Sequence, residues 1–465
     1  MQMPDSKVIE TFDYFLFLLK LQHVLLNIII LFVSNRILRL GRLNPRKITM
    51  SKNTKQKIWI VLDHPQQFAT ALGLVSYWRR RKFIINLIIS PHTYWAKVDI
   101  DRYRNQFDNI HFFERPDYTC NPIKLLFMVY QIFRLRRKIT KLIIHQNDII
   151  VGLSVFHYLE NIVLSLSPKN PKIAIMPHVV YNECRRTMDK NIYKNTFEGW
   201  LANWIVEPIT GLYQTYCMKE RLHPDTYWRI RYREELLNIY SDVIILGNAA
   251  GAEDHLGDKI HKMPFPYVLA LGHLQKLQNG INSGNCNPQK VVFFGDAFGR
   301  GIWGVPPEVY AKHLNKCLSF LREKYSSTYK LVYRPHPTEK DEIKYLNLDQ
   351  FEIENDGMLA ELYLYENINR IYAVFSSGSN ASRSALHFFI NAYAFLDIFP
   401  YDNAGKAYFR NEMGNVPEDF YIRDLSLAPN RYIDDEAVIR AKRICENILE
   451  TVLQDISKGD TDGSN

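Results

Sequence analysis

Leu331-Val332-Tyr333-Arg334-Pro335-His336-Pro337 and, about 40 residues further on, Tyr372-Ala373-Val374-Phe375-Ser376-Ser377-Gly378-Ser379 decide the reading of this chain. Each is a short apolar, β-rich run that ends abruptly in polar residues. In an open α/β sheet, ligands bind in the crevice beyond the carboxyl ends of the strands, where loops lead into helices. Ser376, Ser377 and Ser379 open a predicted helix, so their hydroxyls and the first-turn N–H groups are expected to cradle a phosphate. His336 stands between two prolines, which leave its backbone little freedom. A pinned imidazole beside a phosphate can carry positive charge or deliver a proton near neutral pH.

Outward from these motifs the chain alternates strand and helix. Ile58–Leu62, Phe83–Ile89, Ile110–Phe113, Ile149–Leu153, Ile173–Met176 and Asp242–Leu246 read as strands of a first half, with Asp242–Leu246 as its last strand. Gln66–Arg81, Ile123–Thr140 and Phe156–Leu166 read as the helices between them. Continuous apolar strands separated by helical patterns indicate parallel βαβ units. Asn279–Gln289 is dense in turn formers and reads as a linker. Beyond it Lys290–Phe294, Tyr329–Tyr333, Phe351–Ile353, Ile371–Phe375 and Ala392–Leu396 restart the alternation. The expected organisation is an apolar and basic segment over 1–49, an acceptor domain over 50–285, a donor domain over 286–433, and a helix with a disordered tail over 434–465. Both domains are expected to be Rossmann-like, with helix Asp434–Leu453 packing back across the cleft and Ser457–Asn465 disordered.

Arg-Pro-His-Pro followed by Ser-Ser resembles the His-Pro and Ser-Ser motifs of bacterial sialyltransferases and polysialyltransferases, GT-B enzymes that use CMP-activated acidic sugars. Related motifs occur in Kdo and CDP-glycerol transferases. The likeness spans roughly residues 291–397. It implies a GT-B fold and an inverting transfer of sialic acid or a related ulosonic acid to a surface glycan, with no cofactor beyond the CMP-sugar donor. It also implies that His336 binds or protonates the leaving phosphate, that Ser376 and Ser377 hold it, and that Glu361 takes the cytidine ribose. Arg334, Pro337, Ser379, Gly295 and Asp296 complete the expected donor site, the last two opening the loop Gly295–Gly301 with Arg300.

The family's acidic pair followed by glycine has no counterpart in the first half of this chain. A direct displacement still requires a base there. Asp63, in Asp-His-Pro-Gln after the first strand, and Glu183, after Pro177-His178, are the candidates. Asp99-Ile100-Asp101 matches an Asp-x-Asp metal pattern but lies in a polar stretch, so it reads as a solvated helix start and no essential metal is expected. Each motif also has a plainer reading. His336 could be a satisfied structural histidine, Arg334 a salt-bridge partner, the serines an N-cap and Glu361 a surface residue.

A net charge of +9 from 58 basic and 49 acidic residues suits an anionic partner such as a nucleotide sugar, a glycan or a membrane face. The basic residues are scattered and no nucleic-acid motif accompanies them, which argues against nucleic acid. Six widely spaced cysteines without Cys-x-x-Cys indicate free thiols in a reducing cytoplasm. Phe12–Val33 is apolar but is interrupted by Asp13, Lys20, Gln22, His23 and Asn27, and Arg36, Arg39, Arg42, Arg46 and Lys47 follow it. An interfacial helix fits this better than a span, giving an expected peripheral membrane contact through residues 12–47 at the inner face of the cell membrane. The alternatives are a helix packed on the protein itself, or a translated extension, with Met50-Ser51-Lys52 reading as an alternative start. Other functional readings are a CDP-glycerol-type phosphotransferase, a nucleotide-sugar 2-epimerase, and a non-catalytic, membrane-bound glycan-assembly protein.

Overall fold

The inner apolar runs become parallel strands buried on both faces, as βαβ connections require, while Asn109–Phe112 and Phe351–Ile353 are more exposed. The computed structural model describes residues 55–62, 67–90, 99–114, 131, 134–142, 144–153, 158–167, 169–177, 240–246, 257–263, 289–296, 305–336, 339, 342–413, 416–433 and 435–462. The segment 1–54, Asp63, Glu183, Pro337 and Arg300 lie outside the described residues.

The first sheet contains β1 (Lys57–Leu62), β2 (Ile84–Ile89), β3 (Asn109–Phe112), β4 (Ile149–Gly152), β5 (Lys172–Pro177), β6 (Asp242–Leu246) and β7 (Ile260–Met263). Their order is β3-β2-β1-β4-β5-β6-β7, with every neighbouring pair parallel. The second sheet contains β8 (Lys290–Phe294), β9 (Lys330–Arg334), β10 (Phe351–Ile353), β11 (Ile371–Ser376) and β12 (Asn391–Ala394). It is also wholly parallel, in the order β10-β9-β8-β11-β12. Both sheets start at an inner strand, build outward on one side and then return to the other. That reversal makes a topological switch point, at β1/β4 in the first sheet and at β8/β11 in the second. The α/β fold with two Rossmann-type sheets is thus the one expected.

The described helices are α1 (Phe68–Arg80), α2 (Tyr158–Leu166), α3 (Pro307–Tyr325), α4 (Ala360–Asn367), α5 (Asn380–Leu386), α6 (Asn403–Met413) and α7 (Asp435–Asp462). Helix α3 shows why the sequence forms these elements. Proline begins it where no N–H is missed, and Tyr310, Ala311, Leu314, Cys317, Leu318, Leu321 and Tyr325 bury one face at helical spacing. In the second sheet Tyr333, Phe293, Phe375 and Tyr393 are in register across β9, β8, β11 and β12. The Phe293 and Tyr333 rings stack at 5.7 Å, and those of Phe375 and Tyr393 at 5.1 Å. This row forms a rigid floor one residue below the strand ends.

Two expectations change. Asp242–Leu246 is followed by β7, so it is not the last strand of its sheet. Ile-His-Lys-Met is too short and too polar to announce a strand, but its backbone completes the ladder beside β6. The last helix runs to Asp462, so Ser457–Asp462 is helical where a disordered tail was expected. Its Gly and Asp residues are poor helix formers, but the register of the preceding turns carries through them. Of helix Ile123–Thr140, only part is described, with helical backbone at residues 134–139.

Residues 55–465 form one compact unit that holds both sheets. Arg102 and Tyr103, between β2 and β3, both reach Glu366 of α4, at 2.6 and 2.7 Å. Helix α7 returns to the first sheet's α1, where Glu450 accepts hydrogen bonds from Tyr77 at 3.0 Å and Arg81 at 2.6 Å.

Candidate functional site

The two motifs end β9 and β11, which flank β8, so the carboxyl ends of three neighbouring strands bring them together. Gly295 N–H donates to Arg334 O at 2.8 Å, which joins the turn after β8 to the start of Arg-Pro-His-Pro. A carboxylate then fastens that turn. Glu339, 6% exposed, accepts from Tyr333 OH at 2.6 Å through Oε1 and from His336 N–H at 2.9 Å through Oε2. Its own N–H donates to His336 O at 2.8 Å. Burial, then the Glu339 carboxylate, push the Tyr333 phenol far above its ordinary pKa, so it stays a hydroxyl donor. A Cβ on Gly295 would overlap Glu339 Oε2, with Tyr333 OH 2.7 Å and His336 N 3.2 Å away. The close approach requires glycine.

Arg334 takes a different part from the one expected of a phosphate ligand. Its side chain is buried, with Nη2 donating to Asp356 Oδ1 at 2.7 Å and Met358 O at 3.0 Å, and Nη1 donating to Asp356 Oδ2 at 3.2 Å. The guanidinium carbon lies 3.8 Å from the Tyr363 ring centroid. Burial raises the Asp356 pKa, but the hydrogen bonds from Arg334 and Met358 N–H outweigh it and hold the carboxyl below its usual range. Arg334 therefore braces the β10–α4 connection against β9, a bidentate pairing suited to its forked donors.

On the other side of β8, Ser377 donates to Asp296 Oδ2 at 2.8 Å, and Tyr310 OH of α3 donates to Ser377 Oγ at 2.5 Å. Asp296 is half-buried and Tyr310 fully buried. Burial and then the Asp296 charge drive the Tyr310 phenol well upward, which keeps its proton in the chain. Ser376 is buried, shares a 2.8 Å hydrogen bond with Ser382 Oγ, and accepts from Ser379 N–H at 3.1 Å. Ser379 caps α5 by accepting from Ala381 N–H at 3.3 Å. Those two hydroxyls build the seven-residue helix, the role of an N-cap. Glu361 lies in the first turn of α4 and accepts from Ser384 Oγ of α5 at 3.2 Å; burial raises its carboxyl pKa.

The structure therefore brings Arg334, His336, Gly295, Asp296, Ser376, Ser377 and Ser379 to neighbouring strand ends, with Glu361 on the helix before β11. Asp101 is 86% exposed and opens a 3-10 helix, the solvated helix start expected of Asp99–Asp101. Tyr310, Tyr333 and Glu339 complete the site and were not singled out by sequence. Only Glu339, three residues beyond His336, left a local signal. Among the described residues no His, Cys, Asp and Glu cluster has metal-ligand geometry, and no helix is long and apolar enough to cross a membrane.

No protein-family model matches the chain, and no curated protein matches it in sequence. Solved structures resemble it at a distance. An α/β-galactoside α-2,3-sialyltransferase from Photobacterium phosphoreum aligns at 11% identity and a TM-score of 0.43, over 79% of this chain and 98% of its own. UDP-N-acetylglucosamine 2-epimerase from Rickettsia bellii aligns at 10% identity and 0.44, over 87% and 98%. The corresponding epimerase from Neisseria meningitidis aligns at 10% and 0.45, over 86% and 100%. Likenesses this distant assign neither donor nor acceptor.

Proposed function

We propose that the protein is a glycosyltransferase that binds a nucleotide sugar at the β8/β11 switch point and transfers the sugar with inversion, without an essential metal. The observation that carries the reading is the joining of the Arg-Pro-His-Pro turn and the Ser-Ser turn on either side of Gly295 and Asp296, where an open parallel sheet binds its ligand. His336, with its backbone fixed by Glu339, is the group to stabilise or protonate the leaving phosphate. The resemblance of the motifs favours a CMP-linked sialic or related ulosonic acid, and a glycan acceptor. The base comes from the first half of the chain, with Asp63 and Glu183 as candidates. Residues 12–47 hold the protein peripherally at the inner face of the membrane, and deletion of residues 1–49 should release it while sparing activity on a soluble acceptor. Loss of folding on that deletion would show instead a helix packed on the protein.

Thermal unfolding with CMP, CDP, UDP and GDP in EDTA tests the donor. A ligand at 100 times its Kd adds about 2.7 kcal/mol, a readily measured shift. Stabilisation by CMP supports the reading; stabilisation only by UDP or GDP, or only with divalent ions, removes the cytidine assignment. One observation favours a nucleotide-sugar 2-epimerase as a second reading: two carboxylates, Glu339 and Asp296, both act on the Tyr333 phenol at these strand ends and could serve acid–base chemistry. Exchange of the C2 hydrogen of UDP-N-acetylglucosamine with deuterated solvent would establish it.

A further inference from the structure

The hydroxyl chain beside β11 runs in one direction. An ionised carboxylate only accepts hydrogen bonds. Tyr310 therefore gives its proton to Ser377, and Ser377 gives its own to Asp296. Both hydrogen bonds thus run toward the carboxylate, and Ser377 has its proton engaged there. The other two serines are occupied as well, Ser376 with Ser382 and Ser379 N–H, and Ser379 with Ala381 N–H. The centre of the switch point thus presents a half-buried negative charge whose neighbours are aligned to support it. A phosphate placed there would meet like charge in a poorly screened site, and Ser377 could bond to it only by leaving Asp296.

We propose that Asp296 is a specificity-determining residue that accepts a hydrogen bond from a hydroxyl of the donor substrate, and that it thereby places the substrate's phosphate on the His336 side of Gly295. The inference rests on the nucleotide-sugar reading and names which part of that ligand meets which strand end. The hydroxyl belongs either to the ribose or to the transferred sugar. Tyr310 and Ser377 are positioning residues for the carboxylate, and Ser377 is not the phosphate ligand that its motif suggests.

Calorimetric titration of the full chain and its Asp296→Asn and Ser377→Ala variants with CMP, 2′,3′-dideoxy-CMP and CMP-sialic acid tests this. Asp296→Asn, nearly isosteric and partly solvent-facing, is expected to weaken CMP-sialic acid about tenfold or more with an unchanged unfolding curve. Ser377→Ala, which leaves the carboxylate in place, is expected to weaken it no more than about threefold. If the ribose supplies the hydroxyl, CMP weakens equally in Asp296→Asn, and dideoxy-CMP binds wild type and variant alike. If the transferred sugar supplies it, only CMP-sialic acid responds. The reverse pattern, with Asp296→Asn neutral or tighter and Ser377→Ala weaker by tenfold, puts the phosphate against Ser377 and overturns the proposal. Binding of UDP-sugars instead of CMP-sugars by wild type removes the cytidine assignment alone, and the same comparison is then read with the uridine series. Absence of binding by any nucleotide or nucleotide sugar overturns both readings.

Discussion

His336 is held by its main chain: Glu339 bonds its N–H, and Glu339 N–H bonds its carbonyl. Removing the ring therefore leaves the turn intact. His336→Ala should keep the wild-type unfolding curve but lose turnover by about 10²–10⁴-fold, the usual range for general acid–base groups. Near-normal turnover, measured with whichever nucleotide sugar the protein binds, would make the imidazole structural. Gly295 behaves in the opposite way. Its Cβ position is taken by Glu339 and Tyr333, so Gly295→Ala forces the carboxylate off His336 N–H and should cost about 1–3 kcal/mol in a urea titration. An unchanged midpoint would mean that the turn relaxes freely.

At the scale of elements, the connection from β10 to α4 depends on Arg334, which pairs with Asp356 while its ring-facing side covers Tyr363. Asp356 has a lower pKa folded than unfolded. Its contribution is complete above the unfolded value, near 3.9, and is lost as pH falls through the folded one. Asp356→Asn should therefore lower stability at neutral pH and flatten its fall below about pH 4, as followed by acid unfolding. An identical acid transition in the variant would show that the pair is not coupled to folding. Most of these elements were legible in the sequence, because parallel strands buried on both faces appear as unbroken apolar runs. Predicted and observed ends of β1, β4 and β8 agree to within a residue or two. What remained hidden was non-local. β7 has only ladder hydrogen bonds to identify it, and Tyr310 reaches Ser377 across 67 positions of chain. The serine motif was visible, but only the folded hydrogen-bond pattern shows that two of its three hydroxyls shape the helix and the third faces a carboxylate.

Over the whole molecule, the last helix completes the part of the chain that comes first. Leu449 and Val452 of α7 are buried, and Glu450 ties α7 to Tyr77 of α1 and to Arg81 just beyond its end. Leu449→Ala should cost about 2–5 kcal/mol, and the loss should appear in probes of both sheets if they unfold together. A midpoint within 1 °C of wild type would show that α7 is dispensable.

The return of α7 also sets a timetable for biosynthesis. About 170 residues separate the end of β7 from the start of α7. At about 5–20 residues per second, a ribosome needs roughly 10–35 s to make them. Throughout that interval the α1 end that will meet Glu450, and the surfaces that will bury Leu449 and Val452, have no covering helix, although the first sheet is fully synthesised. Chaperones that recognise apolar surface have that window in which to bind, and a message truncated before α7 would yield a product that displays the same surface permanently to proteases.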